Sequence, residues 1–203
     1  MRRWARITQF ICWTSGAAFL TVSAGRYIET RWYQAVESNR LDRGRASPRA
    51  APAPGRDRVD PPPTGSLVGR LVIPRLNLSA IVLEGSDSRT LSLGIGRVPN
   101  TANPGQPGNV VLGGHRDTFF RPLREIRVGD RVGLLTPSGR YSYVVEWTAV
   151  VEPSNLTPIR ATSGRELTLV TCFPFGYLGS APRRFVVRAR QVAVDGAAGV
   201  RAD

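Results

Sequence analysis

The chain has 203 residues, 41% of them hydrophobic, enough for one domain of ordinary size plus an N-terminal extension. All 28 basic residues are arginine, set against 15 acids, for a net charge of +13. These arginines are spread out, 11 against 5 acids in residues 1–66 and 17 against 10 in residues 67–203. That spread argues against nucleic-acid binding, which concentrates charge on one element. With two cysteines and one histidine, a structural zinc site is not expected. If the chemistry needs an imidazole, His115 must supply it, and no metal or cofactor is expected.

Residues 1–6 form a short basic head. Ile7 to Gly25 then carry no charge, close to the roughly 20 residues that cross a bilayer. Thr, Gln and Ser interrupt this stretch, so it is only moderately apolar. The favoured reading is a transmembrane signal-anchor over 7–25, with the N-terminus cytoplasmic and the folded domain on the extracytoplasmic side. A cleaved signal ending near Val22-Ser23-Ala24 and a buried soluble helix are the alternatives. Residues 26–66 are expected to be a helical stalk leading into a linker from Leu41, rich in Pro48, Pro52, Pro54 and Pro61-Pro62-Pro63. Such composition cannot bury a core.

The folded domain is expected over residues 67–193, with a flexible tail over 194–203. Strand candidates are Leu67–Ile73, Ile81–Glu84, Asn109–Gly113, Arg131–Leu135, Arg140–Val151, Glu166–Thr171 and Arg184–Val192. Pro137-Ser138-Gly139 makes Arg131–Val151 a hairpin. Helical periodicity is confined to short turns near Thr90–Gly94 and Phe119–Leu123. Many short strands in one domain indicate a mainly β sandwich or barrel.

In the stretch from Leu167 to Arg188, Leu167 and Leu169 alternate with Thr168 and Val170, the period of a half-buried strand. Cys172 falls on the face away from the leucines. Arg184 falls away from Phe185, Val187 and Ala189, whereas Arg183 shares the Phe185 face. A thiol and a guanidinium thus meet on one surface, where positive charge favours the reactive thiolate. Arg188 and Arg190 share the Arg184 face, so the period alone does not single out one arginine. His115 follows an apolar strand in Gly113-Gly114-His115-Arg116-Asp117, and Asp117 is a candidate to orient it. Thiol, imidazole and guanidinium together suit acyl transfer through a thiolate nucleophile, an acid/base and an oxyanion stabiliser.

This pattern resembles the sortases, membrane-anchored cysteine transpeptidases of bacterial surfaces. Thr168-Leu169-Val170-Thr171-Cys172 matches the family's Thr-Leu-x-Thr-Cys signature. Ala181 to Val187 resembles the strand carrying the family arginine, and Pro104 to Asp117 the segment carrying its histidine. The details are most like class D. The resemblance implies an eight-stranded β-barrel with the site in an outer groove. It implies His115 as acid/base, Cys172 as nucleophile and Arg184 as stabiliser. Val170 and Val186, which share the expected site face, are candidate substrate contacts, together with Thr171 and Asp117. The resemblance further implies cleavage of LPXTG-like C-terminal sorting signals of secreted proteins after Thr. The resulting thioester would be resolved by an amine, such as that of a peptidoglycan precursor. Gly114 stands where many sortases carry a slightly larger small residue, a difference expected to matter little. Val98 to Ala102 resembles an LPNTA-type signal and is read as a structural loop. A pilin-polymerising sortase is disfavoured, since no aromatic follows Asp60-Pro61; a non-catalytic peptide-binding barrel is the remaining alternative.

Overall fold

The computed structural model describes residues 2–46, 62–177 and 179–193. Most of the expected linker (47–61) and the tail (194–203) lie outside the described residues. The N-terminal helix α1 (Arg2–Ala46) is continuous, so the first residues of the expected linker, 41–46, are still helical. Eight strands come after it: β1 (Leu67–Ile73), β2 (Leu78–Glu84), β3 (Ile95–Arg97), β4 (Gly108–Gly113), β5 (Arg131–Thr136), β6 (Gly139–Val151), β7 (Arg165–Phe173) and β8 (Arg183–Val192). One short helix, α2 (Ser88–Leu93), bridges β2 and β3.

The strands close into a barrel in the order β1-β2-β3-β4-β7-β8-β6-β5. The expected hairpin is present, β5 pairing antiparallel with β6 from Arg131↔Val144 to Thr136↔Gly139. β4 and β7 run parallel, with Gly113 beside Val170. The strand not expected from the sequence is β3, three residues long with a glycine at its centre. It forms because it fills the gap between β2 and β4, pairing parallel with one and antiparallel with the other.

Leu71, Ile73, Val82, Ile95, Val110, Leu112, Leu134, Leu167, Leu169 and Val187 fill the barrel and are almost fully buried. Each such side chain contributes roughly 1.5–3 kcal/mol by leaving water. The alternation read for β7 holds on its inner face, but its middle is buried on both faces. Over the outer face at Thr168 lies the β6–β7 connection. Thr168 Oγ1 donates to Asn109 Oδ1 (2.7 Å), and Asn109 Nδ2 donates to the Pro158 and Arg160 carbonyls (3.1 Å each). These bonds satisfy polar groups that burial would otherwise penalise.

The part of α1 expected to be a helical stalk is helical and also makes contacts with the barrel. Its later turns lie against the barrel. Gln34 Nε2 donates to the Leu93 carbonyl (2.6 Å), and Gln34 Oε1 accepts from the Ile81 N–H (2.8 Å). Arg70 donates to the Ser38 carbonyl (3.0 Å) and to Asp42 (2.9 Å). Tyr33 packs on the small cluster of Ile81, Leu83 and Leu93.

The expected membrane-spanning stretch is part of this helix. Among the described residues no helix is long and apolar enough to cross a membrane. The reason is the diluting Thr, Gln and Ser residues already visible in the sequence. The stretch nevertheless exposes Phe10, Trp13, Phe19, Leu20 and Val22.

Candidate active site

Cys172 lies near the end of β7 and Arg184 near the start of β8, and the two are direct cross-strand partners. Their side chains leave the same face of the antiparallel pair, as the period-2 reading required. Both are half-buried. The neighbouring pair, Phe173 and Arg183, points the other way. Arg183 is exposed, with its Nε 3.8 Å from Glu152. The register thus sets Arg184, and not Arg183, directly across from Cys172.

The arginines that share the face of Arg184 are engaged elsewhere. Arg188 is buried, donates to the Pro158 carbonyl (2.6 Å), sits against Glu166 and stacks over Trp147 with its guanidinium 5.6 Å from the ring centre. Burial pulls its pKa below the ordinary value, against the opposing charge of Glu146. Arg190 pairs with Glu146 at 2.6 Å. The Arg184 guanidinium, by contrast, contacts only the Ala181 and Arg183 carbonyls among the described residues (3.2 and 3.0 Å). Two neutral acceptors leave its positive charge available to a ligand.

His115 is brought alongside by the parallel pairing of β4 with β7. Beyond Gly113 the ladder continues for one more residue, the Gly114 N–H donating to the Val170 carbonyl (3.2 Å). Thr171 Oγ1 then donates to the Gly114 carbonyl at 2.7 Å. The His115 carbonyl accepts from the Phe120 N–H at 3.0 Å. The histidine backbone is thus held on both sides, while its side chain is exposed.

Gly114 matters more than expected. A Cβ added there would lie 2.8 and 3.0 Å from ring carbons of Phe120, which is fully buried. The glycine permits the loop to lie flat on that ring, so a larger residue must displace either the ring or the histidine.

Of the candidate substrate contacts, Val170 is half-buried, whereas Thr171 and Val186 are buried. Thr171 faces inward and supports the His115 loop. Asp117 is exposed beside His115, and among the described residues no hydrogen bond or ion pair joins the two. Two features escaped sequence reading. Arg116 donates to the Tyr177 and Gly179 carbonyls (2.6 and 2.9 Å) and lies over the Tyr177 ring, tying the histidine loop to the β7–β8 connection. Phe173, Phe175 and Phe185 pack together with ring centres 5.3–6.3 Å apart, just past Cys172. Nothing in the local sequence marks a partner 61 or 63 residues away.

The Val98–Ala102 stretch is also structural. Arg97, in a buried ion pair with Glu84 (2.7 Å), donates to the Thr101 carbonyl (2.7 Å), and Thr101 Oγ1 donates to the Val98 carbonyl (2.7 Å).

A closed β-barrel carrying a thiol, a guanidinium directly across from it and an imidazole at the exit of the adjoining strand defines a scaffold for thiol-based acyl transfer. Residues 71–192 match the Sortase domain family. The chain is 36% identical over 132 residues to Sortase D of Bacillus subtilis (strain 168), covering 64% of this chain and 67% of that protein. It is 27% identical over 111 residues to Sortase A of Listeria monocytogenes, spanning 53% of this chain and half of that relative. Among solved structures, a Clostridium perfringens Sortase D5 transpeptidase matches with a TM-score of 0.59 and 27% identity, over 64% of this chain and 81% of that one. Sortase C-1 from Actinomyces oris matches with a TM-score of 0.58 and 31% identity, over 63% and 75%. The chain belongs to the sortase family of cysteine transpeptidases.

Proposed function

We propose that this protein is a sortase of the class D type that cleaves an LPXTG-like C-terminal sorting signal after Thr and passes the cut protein to an amine. The observation that carries the reading is the direct pairing of Cys172 with Arg184, with the His115 loop bonded to Val170 and Thr171 beside them. In this reading the Cys172 thiolate attacks the Thr carbonyl carbon. Arg184, which pairs with no carboxylate among the described residues, stabilises the oxyanion that forms. His115 donates a proton to the departing amine as the peptide bond breaks, leaving a thioester on Cys172. An incoming amine then attacks the acyl carbon and gives up its proton to His115. The C–S bond breaks, an amide forms and the thiolate is regenerated.

The proposed setting is the outer face of the cell membrane, with α1 as the attachment, the N-terminus cytoplasmic and secreted proteins as substrates. The exposed Phe10, Trp13, Phe19 and Leu20 support it. So do the hydroxyls of Thr14, Ser15 and Thr21, which donate to the helix's own carbonyls at 3.0, 3.1 and 2.9 Å and so cost less in lipid. The acceptor is proposed to be an amine of the cell wall, such as a peptidoglycan precursor.

The test uses the full chain in detergent micelles with fluorogenic LPXTG, LPNTA and LAXTG peptides, with and without an amine, beside Cys172→Ala. Cysteine-dependent cleavage after Thr, with an amine-dependent joined product, is expected. A folded protein that leaves every peptide intact would favour a peptide-binding barrel instead.

A further inference from the structure

A cavity of about 650 Å³ opens between α1 and the His115 loop. Arg26, Tyr27 and Arg31 line it from α1, Leu91 from α2, and His115 and Asp117 from the loop after β4. Cys172 and Arg184 are not in its lining. His115 is therefore the one group of the proposed trio that borders both this space and the β7–β8 strand pair.

We propose that this cavity is the site of the second substrate, and that it selects a primary amine whose carrier bears carboxylates. The inference rests on the transpeptidase reading above. An amine resolving the thioester must deliver its proton to the imidazole, so it approaches from a space that the imidazole borders. The sorting peptide, held toward Cys172 and Arg184, leaves the α1 side open.

The charges of this wall define the chemistry. Neither Arg26 nor Arg31 is paired with an acid among the described residues, and Arg31 lies over the Tyr27 ring, 5.9 Å from its centre. Glu29, the acid between them on the helix, is occupied by Arg89 at 3.0 Å. Two guanidiniums on one wall attract carboxylates. Asp117 beside His115 attracts an ammonium group. A ligand with its amine toward the loop and its acids toward α1 complements both. α1 is held in place for this role, with Thr30 donating to the Ser92 carbonyl (3.3 Å) in addition to the two bonds of Gln34. The step itself forms one C–N bond and breaks one C–S bond. The amine proton passes to His115, and Cys172 departs as the thiolate.

The experiment compares two acceptors, Gly-Gly-Glu and Gly-Gly-Gln amide, with the full chain in detergent micelles and a saturating sorting peptide. The wild type is expected to use the acidic acceptor with a KM about tenfold lower, as suits charge-assisted recognition at an exposed site. Arg26→Gln with Arg31→Gln removes that preference, and Arg26→Glu with Arg31→Glu inverts it. Hydrolysis of the sorting peptide without acceptor, and the KM for that peptide, stay as in the wild type. Equal use of both acceptors by the wild type, or a preference that survives the double substitution, overturns the inference and leaves the transpeptidase intact. Absence of any Cys172-dependent cleavage removes both.

Discussion

Replacing Thr171 with Val tests whether this residue positions the histidine loop or contacts the substrate. The side chain is 3% exposed, and its hydroxyl donates to the Gly114 carbonyl at 2.7 Å. Valine keeps most of the shape and removes the donor. A hydrogen bond of this kind contributes about 1 kcal/mol net, and a buried acceptor left unpaired costs about 1–3 kcal/mol. Gly114 is half-buried, so water reaches its carbonyl in part and the lower figure applies. A loss of about 1 kcal/mol lowers the Tm of a domain this size by roughly 3 °C. The larger effect is on chemistry, since displacing a catalytic group by about 1 Å costs up to about a hundredfold. The expected result is a kcat for peptide cleavage lowered about ten- to a hundredfold, with KM for the sorting peptide unchanged. Thr171→Ser, which keeps the donor, restores most of the rate. A raised KM with unchanged kcat would show instead that Thr171 touches the peptide, and an unaffected valine variant would refute the positioning role.

Gly114→Ala presses a methyl group on Phe120, an overpacking that costs about 1–3 kcal/mol; the Tm in thermal denaturation and kcat should both fall. Arg116→Ala frees the β7–β8 connection from the histidine loop, and hydrogen exchange around Tyr177 and Gly179 should quicken while the global Tm stays close to wild type. Arg184→Ala should lower kcat about a hundredfold or more, as loss of an oxyanion donor does, and Arg183→Ala should change it little. The Arg75 hydrogen bond holds the Asp130 carboxyl below its ordinary value of 3.8. A carboxylate whose folded pKa is depressed stabilises the protein above its unfolded pKa, and that stabilisation is lost as the pH falls through the lower folded value. The stability difference between wild type and Arg75→Ala should therefore be constant near neutrality and shrink below about pH 4 in denaturant titrations.

The barrel was legible because seven of its strands are long enough to show alternation or an apolar run between turn signals. β3, with three residues and a central glycine, carries no such signal and exists through its two neighbours. Cys172 and Arg184 could be matched by face because strand periodicity is local, and the antiparallel register then fixed which arginine sits opposite the thiol. The occupation of Arg188 could not be read in this way. It depends on a loop crossing back over β7 to present the Pro158 carbonyl, a contact 30 residues distant in the chain.

The N-terminal helix shows the opposite case. Its uncharged stretch was visible in the sequence, but the docking of Thr30, Gln34 and Ser38 against the barrel was not. Those contacts join polar side chains or carbonyls to groups whose availability is known only once the fold is closed. Gly114 likewise looked replaceable by a slightly larger small residue, because Phe120 comes to lie beneath it only in the folded loop.

Catalysis by this protein, as proposed, turns on a covalent bond to one sulfur. Intact-mass measurement of the full chain, quenched in acid during turnover of an LPNTA peptide, tests it most directly. The expected adduct has the mass of the peptide's N-terminal part through Thr. It maps to Cys172, is released by hydroxylamine and is absent from Cys172→Ala. Peptide cleavage that persists in Cys172→Ala, or an adduct on Cys12 in place of Cys172, would contradict a Cys172 thioester mechanism.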